Sequence, residues 1–228
     1  VNGLARAGYW MLDYGYSARS ELRGLATARD PSRRDSGAVG PGARPVVLLP
    51  GVYERWHFML PLARQLEDLG HAVFFVPELG RNLLPIDESA RLVAGLLAEN
   101  DLRDVLLVAH SKGGLIGKYV MLRLDPEQRV DHLVAVNTPF SGSVWAERLK
   151  VPSIRIFDAA DLTMTFLGAR SPVNERITSV FGSYDQNVPA GSVLPGARNL
   201  RLAVGGHSRI IGSRAFAAVL AEQVARRG

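Results

Sequence analysis

The 228-residue sequence predicts an α/β fold, a mostly parallel central sheet of about six strands with helices on both faces. Three observations predict it. Short apolar runs of strand length alternate with longer segments of helical periodicity, and strands separated by helices of that length pair through parallel crossovers. One run, Val105 to Ala109, is continuously apolar, the pattern of a strand buried on both faces. It passes through Ser111 into Gly113, Gly114 and a helical segment, Leu115 to Leu124, so strand, sharp turn and helix follow one another with small residues at the corner.

The chain divides into a leading part, residues 1–43, and a single domain over 44–228. Leu4, Ala5, Ala7, Gly8, Trp10, Met11, Leu12 and Tyr14 make an amphipathic opening helix that packs its aromatic face on the domain; weak contact with a membrane surface is the alternative. Pro31 to Gly42 reads as a loop, because proline and glycine interrupt both periodicities. Pro45 to Leu49 is the first strand and runs into Pro50-Gly51-Val52-Tyr53. A helix is expected over Trp56 to Leu69, ended by Gly70, then a strand over Ala72 to Val76 stopped by Pro77. Asp87 to Asn100 is the next helix, with Asp87 as its N-cap. After the Ser111 unit, closed by Asp125-Pro126, come a strand over His132 to Pro139, a segment over 140–176 read as a crossover in preference to a small cap, and strands over Arg176 to Gly182 and Asn199 to Val204.

In such sheets, reactive groups gather in loops at the strands' carboxyl ends. Ser111 lies there, exposed by its tight turn as a nucleophile would be. Asp185, just past one strand, and His207, after Gly205-Gly206 past the last, lie on the same edge; Asp158 is the rival acid. A hydroxyl needs a base and the base needs an orienting acid, and the order Ser, Asp, His matches one of the known serine arrangements. The backbone N–H groups of Val52 and Lys112 stand where an oxyanion would be received. Tyr53, Phe140, Phe157, Leu162 and Phe166 are the apolar candidates for a substrate wall. His207 must be neutral to act as base, so activity is expected to decline as pH falls through its pKa, at about 7 or below.

Composition removes other classes. The net charge of +5 comes from arginines scattered along the chain, without the basic stripe interleaved with aromatics that nucleic-acid binding needs. There is no apolar run long enough to span a bilayer. Without cysteine there is no thiol nucleophile or thiolate metal site, and the histidines lack metal-ligand spacing, so neither metal nor cofactor is expected. The start at Val1 in place of methionine reads as a processed or trimmed product. The sequence fixes no oligomeric state and no compartment, a secreted or envelope-associated place being favoured.

Leu49-Pro-Gly-Val52, Ala109-His-Ser-Lys-Gly-Gly114, Asn137-Thr-Pro-Phe-Ser-Gly-Ser143 and Gly196-Ala-Arg-Asn199 leading to Gly205-Gly-His207 resemble the α/β-hydrolase superfamily, small bacterial lipases and esterases in particular. The resemblance runs from about Arg44 to the C-terminus. Ala109 replaces the usual first glycine of the elbow, as in compact, lid-poor lipases; Pro50 and Phe140 replace histidines of the pattern. The resemblance implies hydrolysis of small-molecule or lipid esters through an acyl-enzyme. An acyltransferase using the same triad and a non-catalytic binding protein on this fold are the competing readings.

Overall fold

The computed structural model describes residues 3–25, 43–143, 146, 157–158, 160–169 and 171–226. The Pro31 to Gly42 loop expected from sequence lies outside them. Six strands form one sheet: β1 (Val46–Leu49), β2 (Val73–Phe75), β3 (Val105–His110), β4 (Val130–Val136), β5 (Ile177–Tyr184) and β6 (Arg198–Gly205). Their order is β2-β1-β3-β4-β5-β6 and every neighbouring pair is parallel. All carboxyl ends therefore point to one edge.

The helices are α1 (Gly3–Leu25), α2 (Leu60–Asp68), α3 (Ile86–Glu99), α4 (Lys112–Tyr119), α5 (Leu162–Gly168) and α6 (Arg214–Ala225). Strand alternation distributes the core between them. Val47 and Leu49 of β1, with Leu107 and Ala109 of β3, pack with Val93 of α3 and Ile116 of α4. Val46, Leu48, Leu106 and Val108 face the other way, onto Leu62 and Leu66 of α2 and Phe216 and Leu220 of α6. The central strands are covered on both faces, which is why they read as unbroken apolar runs.

Element positions follow the sequence with local departures. The helix expected from Trp56 starts as a 3-10 turn over Trp56–Met59 and becomes α-helical at Leu60, where Pro61, which offers no backbone N–H, fits a first turn. Asp87 lies inside the first turn of α3, with Pro85 at the N-cap, and pairs with Arg91 at 2.8 Å. The helix after Ser111 begins at Lys112 and widens into a π-helical turn over Val120–Leu124. The connection from β4 to β5 joins parallel neighbours and contains α5.

At the opposite edge of the sheet, Arg44 is 1% exposed. Its guanidinium donates to Asp131 Oδ2 at 2.5 Å and to the carbonyls of Asp104 and Arg226 at 3.1 Å each, tying β1, β3, β4 and the end of α6 together.

Candidate active site

The turn between β3 and α4 is held by what surrounds it. Ser111 has φ 51° and ψ −118°, a conformation that side-chain-bearing residues rarely adopt. The close approach of α4 to β1 explains the glycine that follows: a Cβ on Gly113 would run into the carbonyl oxygen of Leu49. Lys112 is buried, and its ammonium donates to the carbonyls of Asn82, at 2.8 Å, and Leu84. Burial pushes its pKa down to about 8. Asn82 in turn donates through Nδ2 to the carbonyl of Pro50 at 2.7 Å. One lysine thereby couples the Ser111 turn to the loop after β1.

That loop carries a carboxylate absent from the sequence reading. Glu54 Oε2 accepts from the backbone N–H of Gly51 at 2.6 Å and lies 2.9 Å from His110 Nδ1. A methyl group built on Gly51 would stand 3.1 Å from Ser111 Cβ, so the loop adjoins the serine. Val52, the first expected oxyanion donor, sits in this turn. Lys112, the second, is the first residue of α4, where a backbone N–H has no acceptor within the helix.

Asp185 and His207 are together. His207 Nδ1 lies 2.7 Å from Asp185 Oδ2, and both side chains are 8% exposed. Asp185 Oδ1 accepts from the backbone N–H groups of Asn187 and Val188, at 2.8 and 2.9 Å, so the residue closes its own turn with one oxygen and faces the imidazole with the other. Burial raises the Asp185 carboxyl, but the charge and hydrogen bond of His207 and the two backbone donors outweigh it and leave the pKa below the usual value. Burial lowers the His207 imidazole, and the charge and hydrogen bond of Asp185, then the charges of Glu54 and Asp13, outweigh that and raise it.

The His207 loop rests on His110 and Asn137. His110 Nε2 lies 3.0 Å from the His207 carbonyl oxygen, Asn137 Nδ2 donates to the same oxygen at 2.8 Å, and the two imidazole centroids are 4.8 Å apart. Sequence alternation has the His110 side chain turning away from Ser111. The ring packs between Phe58 and His207, where it becomes part of the support. Through His110, the imidazole of His207 is placed beside the residue next to Ser111. Ser111 Oγ itself has no hydrogen bond among the described residues.

The rival acid, Asp158, caps a local turn by accepting from Ala160 N at 2.9 Å. Of the apolar candidates, Phe140 and Phe157 are 1% and 5% exposed and belong to the core, and Phe166 packs against that core beneath the Arg123 guanidinium at 4.6 Å. Tyr53 and Leu162 reach the surface, at 43% and 85% exposure. Among the described residues, no group of three or more His, Asp or Glu side chains could hold a metal ion, and no helix is long and apolar enough to cross a membrane.

No family model and no curated protein matches the sequence. Solved structures do match in shape. The propeptide form of the lipase BlEst2 from Bacillus licheniformis superposes with a TM-score of 0.68 at 17% identity, over 83% of this chain and 52% of that one. The chain thus spans about half of the propeptide form, but against the mature form the coverage is 86% of this chain and 99% of that one, with a TM-score of 0.62 at 17% identity. The chain has the α/β-hydrolase fold. An enol-lactonase from Burkholderia xenovorans shares it, with a TM-score of 0.55 at 16% identity over 85% of this chain and 95% of that one. On an α/β-hydrolase sheet, the loops after β3, β5 and β6 share the carboxyl edge, and these carry Ser111, Asp185 and His207.

Proposed function

We propose that the protein is a serine hydrolase of carboxylic esters, acting through an acyl-enzyme without a cofactor. The observation that carries the reading is the buried His207–Asp185 pair at 2.7 Å, on the same sheet edge as a serine in a strained strand-to-helix turn. In this reading His207 Nε2 takes the Ser111 proton as Oγ attacks the ester carbonyl, and Asp185 holds Nδ1–H and stabilises the imidazolium. The N–H groups of Val52 and Lys112 receive the developing oxyanion. Returning the proton to the departing alkoxide leaves the acyl-serine, which water, activated by the same imidazole, then hydrolyses.

Several features support an apolar ester as substrate. Tyr53, in the loop after β1, and Leu162, at the start of α5, are exposed, and Phe140, Phe157 and Phe166 belong to or pack on the core. Trp10, Met11, Leu12 and Tyr14 of α1 are also exposed, and they support weak contact with a lipid surface. A panel of p-nitrophenyl esters of increasing acyl length, run on the protein and on Ser111→Ala, tests the assignment. Turnover is expected to fall by at least about a thousandfold in the variant; equal turnover by both proteins would remove Ser111 from the chemistry.

A further inference from the structure

Helix α1 precedes the sheet in sequence, yet one face of it touches both loops that carry the proposed acid and base. Tyr9 stacks on Tyr184, the last residue of β5, at 5.6 Å between centroids, and packs against Gly205, the last of β6. Tyr16, two turns along, packs against Gly212 and Phe58. Between them lies Asp13, 2% exposed.

Each oxygen of Asp13 is used. Oδ1 accepts from the backbone N–H groups of Ser208 and Arg209, at 2.7 and 2.8 Å, the two residues directly after His207. Oδ2 accepts from Gln186 Nε2 at 2.5 Å, the residue directly after Asp185. Gly206, directly before His207, adopts φ +111°, and a Cβ there would stand 2.6 Å from Asp13 Oδ1. A buried carboxylate costs several kcal/mol unless hydrogen bonds replace its water, and helix packing alone would be served at lower cost by an apolar side chain. The donors chosen are the residues that directly follow the acid and the base.

We propose that Asp13 is a positioning residue, through which α1 clamps the His207 and Asp185 loops in register with Ser111. The inference rests on the esterase reading. His110 and Asn137 hold the His207 carbonyl, and the clamp fixes the backbone on the other side of the residue, at the N–H groups of Ser208 and Arg209. The imidazole is faced by Asp185 from the β5 loop, Glu54 from the β1 loop, His110 from β3 and Asp13 from α1, so the Asp13 charge also helps to raise its pKa.

Asp13→Ala and Asp13→Asn separate clamp from charge. An asparagine keeps an oxygen for the two N–H groups and, with the Gln186 amide flipped, a partner for Oδ2's place. For Asp13→Ala, kcat for a p-nitrophenyl ester is expected to fall about 30-fold or more with KM within about threefold, since angstrom-scale misplacement of a base costs rates of this order. For Asp13→Asn, kcat is expected to stay within about fivefold, while the acid limb of kcat/KM moves to lower pH because the charge is gone. If a folded Asp13→Ala keeps the wild-type kcat, or if both variants lose activity alike with the limb unmoved, Asp13 is only a brace for the fold. Should Asp13→Ala not fold, Gln186→Ala, which removes only the arm to the Asp185 loop, takes its place, and a wild-type kcat there overturns the clamp. NMR titration of His207 with and without Asp13→Asn, on a Ser111→Ala background, reads the coupling without catalysis. On the same background, faster amide exchange at Ser208 and Arg209 in Asp13→Ala, alongside ester turnover that ignores Ser111, would sink the esterase reading and leave the clamp standing; unchanged exchange there overturns the clamp.

Discussion

Asp185 shows how one side chain serves two ends. Its Oδ1 closes the turn that its residue type favours, and its Oδ2 holds His207 Nδ1, so a turn residue and an acid are compatible readings of the same aspartate. Substitution separates them. In Asp185→Asn the amide oxygen can keep the two backbone donors, which leaves an NH₂ group facing His207 and forces the imidazole into the tautomer that cannot accept the serine proton. Ester turnover is expected to fall by about a thousandfold or more with the melting temperature almost unchanged, and steady-state kinetics beside a thermal melt checks both halves. Near-wild-type turnover would shift the acid to Glu54, the other carboxylate close to the site. The same pair sets the pH response. Because the folded state raises the His207 pKa above its ordinary value of 6.5, the neutral base is regained only above that pH, and the acid limb of kcat/KM is expected on the alkaline side of it. The sequence reading placed Asp185 beside the ring but not Glu54 or Asp13, which add to the same upward shift.

At the scale of elements, the Ser111 turn stores strain that its neighbours hold in place: Gly113 against Leu49, and Lys112 anchored to the carbonyls of Asn82 and Leu84. Alanine at position 111 keeps the unfavourable positive φ; glycine does not. Ser111→Gly is therefore expected to be more stable than Ser111→Ala by about 1 kcal/mol, with both inactive. Urea unfolding of the two inactive proteins measures this, and equal stability would mean that the turn is not strained. The inner strands β1 and β3 were legible as apolar runs bounded by breakers, β6 by the alternation of Leu200, Leu202 and Val204 with exposed residues, and the Ser111 turn because its small residues sit between a strand and a helix. The supports were not. Asp13 meets its partners across 195 positions of sequence, which no periodicity reports. Glu54 is one acid in a loop, and Lys112 looks like any helix-surface lysine until the fold buries it. Phe140 and Phe157 were legible as apolar but not as core, since composition cannot tell a cleft wall from the layer beneath it.

Across the whole molecule, cations lie under helices where solvent does not reach. The sequence has three lysines, and two of them, Lys112 and Lys118, are fully buried on α4. Lys118 donates to the carbonyls of Leu167 and Ala169, at 2.6 and 3.1 Å, and so pins α5 to α4 as Lys112 pins the loop before α3. Burial lowers both to about 8 from an ordinary 10.5. Between those limits the unfolded chain holds more protons on these groups than the folded one, so stability rises with pH across that window, by up to about 3 kcal/mol for each lysine. His207 acts in the opposite sense: its raised pKa gives stability that is complete below pH 6.5 and is lost as pH climbs through its folded value. The two effects occupy neighbouring ranges, so stability measured by urea unfolding is expected to sag just above neutrality and recover toward pH 10. In Lys118→Met the recovery should shrink by roughly half, because one of the two buried ammonium groups is gone while Lys112 still titrates. A recovery of undiminished size would show that Lys118 carries its charge in the folded state as easily as in water, and that its bonds to Leu167 and Ala169 fully offset its burial.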